Sequence, residues 1–123
     1  MPETKILIVE DETLVADHLR LLLEDFGYRV CGSESNGQTA LSRIKEERPH
    51  LVLMDIRLEG DMDGVEVARK IWDEQGIPTV FLTAYSDKET LDRAVMSSPF
   101  GYLVKPVASE QLKAAVEVAL HQS

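Results

Sequence analysis

Short apolar runs at 6–9, 28–31, 51–54, 79–82 and 102–104 are separated by longer amphipathic segments, and the alternation continues to the end of the chain without a linker or low-complexity stretch. The runs are mostly β-branched, leucine or aromatic and are bounded by charge, glycine or proline, which predicts five strands. The third run, LVLM at 51–54, is apolar at every position rather than at every second one. A strand with one wet face alternates, whereas a strand covered on both faces does not, so this run predicts a central strand of a parallel sheet. It leads straight into Asp55. A charge at the tip of so apolar a segment needs a reason, because an unpaired buried carboxylate is costly.

The segments between the runs carry helical spacing. Val15, Leu19, Leu22 and Phe26 mark a first helix that Gly27 stops. A second starts near Asn36 and Gly37, carries Ala40, Leu41 and Ile44 on one face, and ends before Pro49. A third runs from Asp63, as its N-cap, through Val65, Val67, Ala68 and Ile71 to Gly76. A fourth is expected over 87–96, closing on Ser97, Ser98 and Pro99, and a fifth over 109–121, capped by Ser109 and burying Leu112, Ala115, Val116 and Ala119. Five βα units in succession imply crossover connections. They predict an α/β fold: a doubly wound, mostly parallel sheet with helices on both faces.

Composition narrows the function. At 123 residues the chain is the size of one domain, and 44% hydrophobic with 28% charged residues is the balance of a globular protein with no membrane-spanning run. The opening MPETKILIVE has no basic start and no signal-peptide pattern, so a cytoplasmic location is the expectation. Thirteen basic against twenty-two acidic side chains leave a formal charge of −9, which argues against direct binding of nucleic acid or anionic lipid. Cys31 has no partner for an internal disulfide and reads as a small core residue.

In open α/β sheets ligands bind beyond the carboxyl ends of the strands. Glu10 and Asp11 follow the first strand, Asp55 the third, Thr83 the fourth and Lys105 the fifth, while Ser33 and Glu34 follow the second, which reads as an edge strand away from the site. If strands one and three are neighbours, Glu10, Asp11 and Asp55 face one another and repel unless a cation sits among them. Oxygen donors without histidine or cysteine suit a hard divalent ion, and Mg2+ best of these. An aspartate, a Mg2+ site, a hydroxyl and an ammonium make a phosphoryl-transfer site. Asp55 is the candidate nucleophile, because it stands alone on the central strand; Thr83 would bond a phosphoryl oxygen and Lys105 would pair with it. Any one of these residues alone reads as a solvated strand end, and Glu10, Asp11 and Glu12 as an acidic helix start. Their coincidence at the ends of strands one, three, four and five is what points to a site.

ILIVEDE at 6–12, LVLMDIRL at 51–58, MDGVEVARKI at 62–71, PTVFLTAY at 78–85 and GYLVKPV at 101–107 together resemble the receiver domain of two-component response regulators over essentially the whole chain. The resemblance implies a (βα)5 flavodoxin-like fold with sheet order 2-1-3-4-5, one receiver domain over 1–123 and no output domain in this chain. It also implies Asp55 as phosphoacceptor, Glu10 and Asp11 as Mg2+-binding acids, and the backbone carbonyl of Arg57 as a further metal ligand. Thr83 would be the switch hydroxyl, Lys105 the phosphate-pairing amine, and Tyr102 an aromatic that turns inward when Thr83 engages the phosphoryl group. The Lys105-Pro106 bond is expected to be cis. The implied partners are a histidine kinase or histidine phosphotransfer protein, and an output partner or domain on the face of the fourth helix, fifth strand and fifth helix. A homodimer formed on phosphorylation is a further expectation, and the only chemistry implied is the domain's own gain and loss of phosphate. RLEGDMDG at 57–64 departs from the family in lacking a common proline, and Arg57 stands where small polar residues are frequent. Arg57 reads as pairing with Glu10 or Asp11, as screening the phosphoryl group, or as simply solvated.

Two rivals share the fold or the nucleophile. A phosphatase of the haloacid-dehalogenase class needs an acid two residues beyond its nucleophilic aspartate, where this chain has Arg57. A flavin-binding module needs a hydroxyl- and glycine-rich loop after the first strand, where EDET offers repulsion instead.

Overall fold

Successive residues of a strand point to opposite faces of its sheet, and in this chain both faces find apolar cover. The computed structural model describes residues 3–58, 60, 63–84, 86 and 101–122. Its strands are β1 (Lys5–Val9), β2 (Arg29–Glu34), β3 (Leu51–Asp55), β4 (Thr79–Thr83) and β5 (Gly101–Val104), and its helices α1 (Thr13–Asp25), α2 (Gly37–Glu47), α3 (Gly64–Gln75) and α4 (Ser109–Gln122). All neighbouring strands pair in parallel, in the order β2-β1-β3-β4-β5. The helix expected over 87–96 lies outside the described residues.

One apolar layer joins Leu7, Val9, Val52, Met54 and Phe81 to Ala40 and Ile44 of α2 and Val67, Ala68 and Ile71 of α3. The other joins Ile6, Ile8, Leu51, Leu53, Val80 and Leu82 to Leu19 and Leu23 of α1 and Leu112 and Val116 of α4. Every residue of β3 and of β4 is buried, as the unbroken apolar run at 51–54 requires. Each fully buried aliphatic side chain is worth about 1.5–3 kcal/mol, enough to fix these two strands at the centre of the sheet.

The element ends follow local chemistry. Asp63 caps α3, its Oδ1 accepting from Glu66 N at 2.8 Å, and Asn36 caps α2, accepting from Thr39 N at 3.0 Å. Gly76 closes α3 in the left-handed conformation at φ 67°, which a glycine adopts without steric cost. Ser109 is not the cap of the last helix: Leu112 N donates to Ala108 O, so Ala108 holds that position and Ser109 is the first helical residue. The second strand is also displaced from its expected place, and Ser33 and Glu34 lie within it rather than after it. Its register shifts between Ile6 and Leu7, pairing Ile6 with Val30 and Leu7 with Gly32, so that Cys31 is the extra residue of a bulge. Cys31 is half-buried, and burial followed by the Glu47 charge pushes its thiol pKa up, away from a reactive thiolate.

Candidate functional site

The sheet order puts β1 and β3 side by side, and their carboxyl ends set the site. Glu10 N donates to Glu34 O at 2.9 Å, carrying the β1–β2 ladder one residue past β1 and holding Glu10 at the carboxyl end of the sheet. Ile56 N donates to Leu82 O at 3.0 Å and Lys105 N to Thr83 O at 2.8 Å, so the β3–β4 and β4–β5 ladders also run one residue past their strands. The backbone beneath the site is thus fixed on three ladders. Of the residues here, Glu10 is 3% exposed, Asp55 6% and Thr83 0%.

Lys105 spans from β5 to the centre of the sheet. Its Nζ donates to both carboxylate oxygens of Glu10 at 3.1 Å and to Asp55 Oδ2 at 3.0 Å. The other oxygen of Asp55, Oδ1, accepts from the backbone N–H of Arg57 at 3.0 Å. Asp11 is exposed at the mouth, and one carboxylate oxygen from each of Glu10, Asp11 and Asp55 lies within 4.8 Å of the others. Thr83 points its hydroxyl to its neighbour, donating to Ala84 O at 3.0 Å. The Arg57 side chain is exposed. Tyr102 pairs with Phe81 across β4 and β5 and is 37% exposed. The Lys105-Pro106 peptide is cis.

Burial is the largest cause that pushes the Glu10 carboxyl up to about 7; the hydrogen bond and charge of Asp55 add to it, and Lys105 opposes it. For Lys105, burial alone would lower the ammonium pKa, but its bonds to Asp55 and Glu10 outweigh that and raise it. One ammonium against three carboxylates leaves the cluster net negative. Its donors are all carboxylate oxygens, two of them on buried residues and one on an exposed residue, which is the ligand chemistry of a hard divalent cation. Such an ion would offset the part of the Glu10 rise that comes from the Asp55 charge.

The structure therefore brings together Glu10, Asp11, Asp55 and Lys105, which the sequence placed at separate strand ends. Two features were not read from the sequence. One is that Lys105 bridges Glu10 and Asp55 at once. The other is Gly64, whose amide donates to Ile56 O at 3.1 Å and whose Cβ position is taken up by the backbone of Asp55 and Ile56. The available signal was a glycine directly after an N-cap aspartate, where the helix itself has no need of one.

Known proteins resemble this chain in sequence and in fold. The family model for the response regulator receiver domain matches residues 6–117. The transcriptional regulatory protein PdtaR of Mycobacterium tuberculosis is 34% identical over 116 residues, covering 94% of this chain and 56% of that protein. The positive alginate biosynthesis regulatory protein of Pseudomonas aeruginosa is 42% identical, covering 93% of this chain and 46% of that protein. The chain thus spans about half the length of these curated relatives. Among solved structures, the signal receiver domain of a modulated diguanylate cyclase from Desulfovibrio desulfuricans superposes with a TM-score of 0.89 at 42% identity, covering 98% of this chain and 96% of that one. The response regulator PhyR from Brucella abortus superposes with a TM-score of 0.87 at 30% identity, covering 98% of this chain and 49% of that one.

Proposed function

Because the chain belongs to the response regulator receiver domain family, we propose that it is a phosphorylation switch whose acceptor is Asp55. The observation that carries this reading is the Asp55 carboxylate itself, buried, oriented by the Arg57 amide on one oxygen and by Lys105 on the other. Those two donors hold a nucleophile in one rotamer at the mouth of a crevice, which removes orientational freedom before the donor arrives. A phosphohistidine of a partner kinase or phosphotransfer protein, or a small phosphodonor, supplies the phosphoryl group. Its nitrogen–phosphorus bond breaks as a bond from an Asp55 oxygen to phosphorus forms, and the imidazole leaves with the electron pair and takes a proton from solvent. Glu10, Asp11, Asp55 and the Arg57 carbonyl would hold Mg2+, which when bound supplies positive charge to the phosphoryl oxygens.

Lys105 already lies against Asp55 and can turn from Glu10 to the new phosphoryl oxygens without leaving the site. Thr83 must exchange its bond to Ala84 O for one to the phosphoryl group. That movement makes room for Tyr102, whose ring is poised between solvent and the sheet edge. The surface around β5 and α4 then changes, and with it affinity for an output partner or a second copy. The reaction is confined to the domain's own gain and loss of phosphate; the acid that a haloacid-dehalogenase phosphatase needs is absent, with Arg57 in its place. Incubation with acetyl phosphate should yield a base-labile phosphoprotein in the presence of Mg2+, and much less with a chelator. A protein that takes up no phosphoryl group under either condition would contradict the reading.

A further inference from the structure

Gly64 is the first residue of α3, is buried, and does not need a positive φ. What it lacks is room. A Cβ built there would stand 3.0 Å from Ile56 Cα and 3.2 Å from the Asp55 carbonyl carbon, and nearer still to the Asp55 carbonyl oxygen. All of these are backbone atoms, so no side-chain rotation relieves the clash. The same backbone is tied down on its other side by Ile56 N donating to Leu82 O at 3.0 Å. The start of α3 and the end of β3 are in addition joined by Gly64 N donating to Ile56 O at 3.1 Å. Gly60 is the contrasting glycine, at φ 95° with nothing within 4 Å of its Cβ position.

We propose that Gly64 is a positioning residue for the phosphoacceptor: the missing side chain lets α3 seat directly on the Asp55–Ile56 peptide and so fixes where the Asp55 carboxylate points. This rests on the reading of Asp55 as phosphoacceptor. A methyl group at 64 must push the Asp55–Ile56 peptide away from α3. The Asp55 carboxylate then moves relative to two partners that do not move with it: Lys105 Nζ, anchored on β5, and the Glu10 carboxylate, anchored on β1. Placement errors of about 1 Å cost roughly 100-fold in rate at a preorganised site, so a shift of part of that should slow phosphorylation at least tenfold.

The test compares Gly64→Ala with wild type and with Val67→Ala, a truncation in the apolar layer beneath α3. Each is assayed well below its melting temperature for phosphorylation by acetyl phosphate with Mg2+, and by NMR for the Asp55 side-chain carboxyl carbon and the Arg57 amide. Should Gly64→Ala fail to fold alone, trimethylamine N-oxide is added to every sample, since excluded osmolytes favour the folded state. The expected result is a displaced Asp55 carboxyl signal, a displaced Arg57 amide and at least tenfold slower phosphorylation in Gly64→Ala, with all three near wild type in Val67→Ala. Wild-type signals and rate in Gly64→Ala, or equal slowing by Val67→Ala, would overturn the proposal. If the wild-type protein itself takes no phosphoryl group, the earlier reading falls, and the two NMR signals alone decide whether Gly64 positions Asp55.

Discussion

β2 and β3 both end on a carboxylate, and the two ends differ in every respect that matters for function. β2 is an edge strand with no fully buried residue, and Glu34 at its end pairs with Arg43 at 3.5 Å, a partner 39% exposed. β3 is central and wholly buried, and Asp55 at its end shares Lys105 with Glu10 inside a cluster of three acids. An acid at a strand end is thus no signal by itself. Its neighbours in the sheet order decide whether it joins a partly exposed ion pair or a buried cluster of charges.

Phosphorylation should separate the two ends most. Asp55→Asn is expected to abolish uptake from acetyl phosphate, while Glu34→Gln leaves it close to wild type; comparable losses in the two would break the comparison. Stability should separate the strands next. Leu53→Ala, in the fully buried β3, is expected to cost about 2–5 kcal/mol in urea unfolding, whereas Val30→Ala, half-buried in β2, costs about 1 kcal/mol.

The two cations should differ as well. Lys105→Met leaves Glu10 and Asp55 facing each other without an ammonium and is expected to destabilise the metal-free protein by about 3 kcal/mol, the lower end for a broken buried pair because Lys105 keeps some hydration. Arg43→Ala should cost at most about 1 kcal/mol, and equal costs for the two would mean that the β3 cluster is no more desolvated than the edge pair.

The β3 cluster should also show a pH dependence. The folded-state pKa of Glu10 is about 7, above its ordinary value of 4.5, so the folded protein binds this proton more tightly than the unfolded chain. Its contribution to metal-free stability is therefore fully present below 4.5 and is lost as pH rises through about 7. Divalent ions need the deprotonated form, so Mg2+ affinity should increase over the same rise, and Mg2+ at about 100 times its dissociation constant should stabilise by about 2.7 kcal/mol. Calorimetry across pH 5 to 8 with and without Mg2+ checks both signs, and Glu10→Gln should flatten both trends.

The central strands were legible because LVLM at 51–54 and TVFL at 79–82 carry no exposed face to confuse the period, and burial on both sides leaves few alternatives. The β2 boundary was not, because a half-exposed edge strand with a bulge at Cys31 has no clean alternation, and Ser33 and Glu34 look like a turn until the ladder to Ile8 and Val9 is seen. The Ser109 cap was misplaced by one residue because serine at the first helical position and serine at the cap leave the same sequence signature. The site acids and the lysine were visible as strand-end residues. That one amine serves two of those acids was not, since the reach of a lysine across three strands is a property of the assembled sheet. Gly64 was hidden for the same reason: the atoms it must avoid lie eight and nine residues earlier in the chain.

The most direct test of the account is to trap the phosphorylated residue. After incubation with acetyl phosphate and Mg2+, borohydride reduction converts an aspartyl phosphate to homoserine, and peptide mass spectrometry locates it. The account predicts homoserine at position 55, with Glu10 and Asp11 unmodified. Reduction at either of those acids, or none at 55, would contradict it.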